Sequence, residues 1–223
     1  MRTLRVVALA LGLALVASHA VATTARQVVE RATDAVADFL DHVPADDVTR
    51  IYVQNAYGVL VMPGLVKGGF VVGAEHGFGV LLVRDPQSGA FGPPAFFEAF
   101  GGSIGFQAGG KSSDVLVTIM NPRAVDAMLD GDIQLGGQFS LAVLRAGGAF
   151  GAATTTALGE DLYVFERPTG LFGGASLSGA GIRPQHIHND DYWGGTTDPE
   201  DVVRDFDRSD PRSARLRDLL LQF

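Results

Sequence analysis

The chain has 223 residues, no cysteine, and 25 acidic against 17 basic residues, for a formal net charge of −8. Without cysteine it can form no disulfide, thiolate metal site or lipid-modified cysteine. Its acidity disfavours nucleic acid and anionic surfaces unless its few cations cluster, and the length suits one domain with a tail.

Residues 1–22 read as a secretory signal peptide: Arg2 and Arg5 precede an apolar run, Val6 to Ala17, and Ala20-Val21-Ala22 supplies a small-residue cleavage pattern. The run is shorter than the ~20 residues that span a bilayer. The expectation is an exported chain starting at Thr23, periplasmic or extracellular, soluble and not a lipoprotein. A helix is predicted over 24–43, with Val28, Val29, Ala32, Val36, Phe39 and Leu40 on one face and Glu30, Asp34, Asp38 and Asp41 on the other. Pro44 stops it. Asp46 or Asp47 caps a second helix, Val48 to Asn55, with Val48, Ile51 and Tyr52 on its apolar face.

Glycine-rich apolar runs follow and predict strands at 57–62, 68–75 and 77–84, a turn at Asp85–Gly89, then strands at 96–108 and 114–120. So many glycines exclude a helix, since each costs about 1 kcal/mol there relative to alanine. Asn121-Pro122 opens a helix with an Ala124, Val125, Met128, Leu129 stripe, and Gly131 ends it. Further strands are expected at 133–144, 149–156, 161–166 and 171–178. The acidic stretch 196–223 holds two short helices, near 200–206 and 213–222. The expected domain is therefore 23–195, of α+β class. It is mainly an antiparallel glycine-rich sheet, curved or closed into a barrel-like sandwich, with a few packed helices.

Two catalytic patterns fall in the glycine-rich stretch. Gly105 to Ser112 (GFQAGGKS) matches a phosphate-binding loop, whose chemistry needs a helix N-terminus after the lysine. The residues after Ser112 are β-branched, so no nucleotide site is expected. Gly101-Gly-Ser103-Ile-Gly105 matches a nucleophile elbow, with Asp161 and His186 or His188 following in chain order. No helix follows Ser103 either. His186 and His188, two apart, would share a strand face and a metal ion, but the segment reads better as polar surface. No catalytic residue, metal or cofactor is assigned.

The segments AYGVLVMPGLVKGGFVVGAEHGFGVLLVRD, GPPAFFEAFGGSIGFQAGGKSSDVLVTIMN, LYVFERPTGLFGGASLSGAGI and NDDYWG closely resemble the SYLF domain, from about Asp47 to Gly194. The resemblance implies a non-enzymatic domain. Eukaryotic members bind phosphoinositide membranes through an N-terminal amphipathic helix and basic residues, and some bind actin filaments; bacterial members look like lipid-binding envelope proteins. This chain departs in lacking a lipobox cysteine and in the acidic polar face of its first helix. The function implied is phospholipid or phosphoinositide-like binding. The alternative is a protein-interaction or structural envelope module, and last comes a serine hydrolase using Ser103. Candidate lipid contacts are the cations Lys67, Arg84 and Lys111 and the apolar face Val28, Val36, Phe39 and Leu40. The competing reading packs that face on the sheet and leaves the cations solvated. A membrane surface or another envelope protein is the expected partner.

Overall fold

The computed structural model describes residues 23–69, 72–104, 109–131, 133–134, 139–146, 159–169 and 180–223. Residues 1–22, residues 105–108 of the phosphate-loop pattern and the strands expected at 149–156 and 171–178 lie outside the described residues.

Eight described strands form one sheet: β1 Gly58–Gly69, β2 Val72–Val83, β3 Ala95–Ile104, β4 Gly109–Ile119, β5 Ile133–Gln134, β6 Leu141–Arg145, β7 Leu162–Thr169 and β8 Gly181–Pro184. Their order is β5-β8-β3-β2-β1-β4-β7-β6, and every neighbouring pair is antiparallel except β6 with β7. The near-continuous apolar runs follow from burial on both faces. Val59, Val61, Val80, Leu82, Leu116 and Phe165 point to one core. Their alternates Leu60, Met62, Leu81, Val115, Val117 and Val164 point to the other.

Chain connectivity requires the sheet to curl. β5 and β6 are its opposite edges, yet Gln134 and Leu141 are seven residues apart in the chain. Seven steps reach about 25 Å at most, whereas the edges of a flat eight-stranded sheet lie roughly 34 Å apart. The result is a half-barrel, and the single strand expected over 133–144 is split between its two edges. Helix α3, defined below, touches both β4 and β8, which three strands separate, so its side of the sheet is the concave one.

The helices follow their caps. α1 (Ala25–His42) starts at a Thr24–Gln27 capping box and crosses β1 and β2 on the convex face. α2 (Val48–Asn55) is capped by Asp47, whose side chain accepts from Thr49 N at 2.8 Å. Its packed face differs from expectation: Thr49 and Val53 are buried, Tyr52 stacks on Tyr163 at 3.7 Å between ring centroids, and Ile51 is exposed. α3 (Pro122–Asp130) has the expected Asn121 cap and buried stripe, and ends at Gly131 with φ 102°. α4 (His186–Trp193), α5 (Pro199–Val203) and α6 (Ala214–Leu220) complete the described fold. Residues 196–223 join the cores, since Val203, Leu216, Leu220 and Phe223 are buried there.

The break expected at 63–67, between strands at 57–62 and 68–75, is instead a bulge at Pro63-Gly64 inside the twelve-residue β1. Gly64 takes φ 62°, and its N–H donates to Asp114 Oδ1 at 2.8 Å. The bulge bends β1 locally and increases its twist.

Candidate functional site

Beyond the bulge, polar residues appear in strands that are otherwise apolar. Antiparallel partners share a face, so two rows run across the glycine-rich end. On the convex face the row is Val66, His76 and Phe100, one residue from each of β1, β2 and β3. Val66 and His76 border the first turns of α1, and Val66 is 56% and Phe100 37% exposed. Beside it Glu98 is buried, with Arg183 Nε 2.5 Å from Oε1 and His76 Nε2 3.7 Å from Oε2. The Arg183 guanidinium also stands 4.8 Å from the Phe100 ring centroid.

On the concave face the row is Lys67, Glu75 and Gly101. Lys67 Nζ lies 3.1 Å from Glu75 Oε2. Gly101 makes room for that carboxylate, because a Cβ there would sit 2.5 Å from Glu75 Oε1. Lys111 is the register partner of Lys67 on β4. The chain's two lysines therefore face one another across β1 and β4 at the level of the backbone. A cleft of about 550 Å³ opens beside Glu75, between Gly101 and Gln134.

The other sequence candidates are placed elsewhere. Arg84 is a structural cation: it donates to Ala56 O at 3.1 Å, Val53 O at 2.9 Å and Gly89 O at 2.6 Å, and lies 4.2 Å from the Phe91 ring centroid. Burial lowers its pKa from the usual arginine value. Val28, Val36 and Phe39 are buried against the sheet and Leu40 packs beside them, so the apolar face of α1 is used inside the fold. Burying each such side chain contributes about 1.5–3 kcal/mol. That face reaches a membrane only if α1 leaves the sheet.

His186 and His188 belong to a helix, not a strand. Two residues apart on a helix they point roughly 200° from one another, which corrects the shared-face metal pair. His188 is buried, contrary to the polar-surface reading: its Nε2 lies 2.8 Å from Thr23 O and its ring meets Phe78 edge-on. Among the described residues no group of three His, Asp or Glu is placed to hold a metal ion.

Neither catalytic pattern assembles. Lys111 and Ser112 lie within β4, which has antiparallel partners on both sides, so no helix N-terminus follows the glycines. Ser103 lies within β3, at the β1–β2 hairpin end, whereas Asp161 precedes β7 at the opposite end of the strands. At ~3.3 Å per residue they are on the order of 30 Å apart. Asp161 instead holds a loop, accepting from Asn121 Nδ2 at 2.5 Å and Ser140 N at 3.0 Å.

A cluster not anticipated from sequence links α1 to the sheet. Asp38 pairs with Arg167 of β7, whose Nη1 also donates to Asp38 O at 2.9 Å, and Arg167 is the register partner of Asp114. The pKa of Asp114 is raised, chiefly by burial and further by the Asp38 charge. The available signal was a single charged residue in or beside each apolar run, visible in Asp114, Arg167 and Glu98 alike.

Residues 100–223 match the family described as "Ysc84: Las17-binding protein actin regulator". The chain is 31% identical over 143 residues to SH3 domain-containing YSC84-like protein 1 of Xenopus laevis, covering 64% of this chain and 42% of that protein. It is 26% identical over 153 residues to Protein YSC84 of Saccharomyces cerevisiae, covering 67% and 32% respectively. A second yeast protein, LAS seventeen-binding protein 3 of Saccharomyces cerevisiae, is 25% identical over 145 residues, or 64% of this chain and 31% of that one. The chain thus spans less than half the length of each. With more than half its length matched, the chain belongs to the Ysc84 (SYLF) family of actin-regulator-like proteins.

Proposed function

We propose that this chain is a non-enzymatic phospholipid-binding domain that meets the bilayer with the glycine-rich end of its sheet. The observation that carries this reading is the row Val66–His76–Phe100, which places two exposed apolar side chains on the glycine-rich half of the sheet. Shallow insertion of such side chains, with nearby cations at the headgroup level, is how a folded surface gains affinity for a membrane. Lys67, ion-paired to Glu75 on the concave face, and its register partner Lys111 are the candidate cations of the same half of the sheet, and the acidic face of α1 keeps the rest of the molecule off an anionic surface. Residues 1–22 direct the chain to the periplasm or the outside of the cell.

Vesicle co-sedimentation tests this. The wild-type chain should pellet with anionic phospholipid vesicles, and Val66→Asp/Phe100→Asp and Lys67→Ala/Lys111→Ala should each weaken the binding. If the wild type ignores every vesicle composition at low and physiological salt, the reading falls. A second reading, a protein-interaction module, draws on the family description and on the yeast relative whose printed name is that of a Las17 binder. It predicts co-sedimentation with a filament or envelope protein that does not change when lipid is added.

A further inference from the structure

His76 stands at the centre of the row, with Val66 as its partner on one neighbouring strand and Phe100 on the other. Its side chain is 57% exposed, and its ring meets Phe78 edge-on at 4.9 Å between centroids. Val66 and Phe100 flank it at one strand spacing, roughly 5 Å on each side. We infer that His76 is a proton-operated switch on this surface, giving the row a positive charge and a stronger hold on anionic phospholipid as the pH falls from neutral to mildly acidic. The inference rests on the lipid-binding reading and adds to it the condition under which the surface binds.

The charges around His76 set the size of the step. On β3, Glu98 is buried, and its Oε2 lies 3.7 Å from His76 Nε2. Arg183 on β8 pairs with Oε1 of the same carboxylate, and Gln185 Nε2 donates to Oε2 at 3.4 Å. Glu98 and Arg183 cancel, so a neutral His76 leaves the row without net charge and an imidazolium leaves it positive. That imidazolium faces a carboxylate, so it needs no partner from the bilayer. Lys67 of β1 and Glu75 of β2 pair with one another on the opposite face of the sheet. Arg31 of α1 borders the same groove as His76, and an arginine keeps its charge across this pH range. His188 of α4 also meets Phe78 but is buried. At the β1 bulge Asp114 accepts from Gly64 N–H, and its pKa is raised chiefly by burial, so it is the carboxylate whose titration must be separated from that of His76. An anionic bilayer carries a surface potential of about −30 mV, which decays over a Debye length of about 8–10 Å. A cation roughly 5 Å from side chains that enter the headgroup layer feels most of that potential, and is worth about fivefold in partitioning. Linkage requires the converse, that a membrane preferring the protonated row draws protons onto the protein as it binds.

The test uses the full chain and phosphatidylcholine vesicles, alone and mixed with phosphatidylglycerol, at about pH 7.5 and about pH 5.5, which bracket most of a histidine's titration. The wild type should partition about fivefold more strongly onto the mixed vesicles at the lower pH, with no such gain on phosphatidylcholine alone. His76→Gln should lose the gain, and His76→Lys should bind the mixed vesicles equally at both pH values. Both should unfold at the wild-type temperature, since the side chain is largely exposed. His42→Gln, at the far end of α1 beside Asp38, should keep the gain, and so should Asp114→Asn. Calorimetry in buffers of different ionisation heat, run midway between the two pH values, should show proton uptake on binding by the wild type and none by His76→Gln. A wild type that binds equally at both pH values would overturn the switch and leave the lipid reading standing, as would a gain that survives in His76→Gln or vanishes in Asp114→Asn. A wild type that ignores every vesicle at both pH values would overturn the lipid reading and the switch together.

Discussion

Gly79 shows how little room the curl leaves. A Cβ at this position would stand 2.5 Å from Val61 O and 2.8 Å from Met62 Cγ, both within the neighbouring strand. A backbone oxygen cannot step aside as a side-chain tip can, so Gly79→Ala should cost about 1–3 kcal/mol, read as a lower urea midpoint with an unchanged slope. Arg84 carries a different load. Its three backbone acceptors close the end of α2 onto the β2–β3 turn. Arg84→Met should cost about 2 kcal/mol and leave vesicle binding unaltered, which separates its structural role from the lipid contact suggested by its charge. Asp210 is buried, with Tyr192 and Arg212 each donating to it at 2.9 Å. Burial alone would raise its pKa, but Ser213, Arg212 and Tyr192 outweigh that and lower it. A carboxylate with a depressed folded pKa adds stability that is present above its ordinary pKa of about 4 and is lost as the pH falls through the lower folded value. Asp210→Asn should therefore destabilise the protein at pH 7 and flatten the acid limb of its stability curve.

At the level of elements, α1 is held by its apolar stripe and by an ionic clasp, Asp38 with Arg167, whose register partner is Asp114. Asp114 has the opposite sign to Asp210. Its raised folded pKa means that its contribution is present below the ordinary carboxylate value and is lost as the pH climbs through the raised one. Asp114→Asn, which keeps the oxygen that accepts from Gly64 N–H, should gain stability relative to wild type at pH 7 and show no such gain at pH 4, by chemical denaturation at both. The stripe of α1 and the capped start and end of α3 were legible because periodicity and caps are local signals. The break expected at 63–67 is a bulge because a bulge and a loop use the same residues; only the pairing partners, β2 and β4, decide between them. α4 was missed for a physical reason: it buries His188 and Asn189, and Asn189 exchanges hydrogen bonds of 2.9 Å with both N and O of Phe96. A helix anchored by polar groups shows no apolar period. The exposed row of the candidate site was equally hidden, since Val66, His76 and Phe100 come together only through a register that spans three strands.

Across the whole molecule, residues 196–223 are part of the core. Arg50 Nη1 donates to Gln222 O at 3.0 Å and Gln54 Nε2 to Phe223 O at 2.7 Å, tying α2 to the end of the fold. Leu216, Leu220 and Phe223 are buried, so deleting 214–223 removes on the order of 6 kcal/mol of apolar burial. That is comparable to the stability of an entire domain. The truncated chain should lose its cooperative thermal transition and bind a hydrophobic dye. The packing of α1 carries a further consequence for biosynthesis. Its apolar stripe is completed by Phe165, Tyr192, Leu216 and Leu220, all more than 100 residues later in the chain. While a ribosome is still making those residues, the apolar side of this segment has only β1 and β2 to cover it. The nascent chain is therefore at its most adhesive early in synthesis, and a holding chaperone has its longest opportunity at the segment that ends up most deeply enclosed.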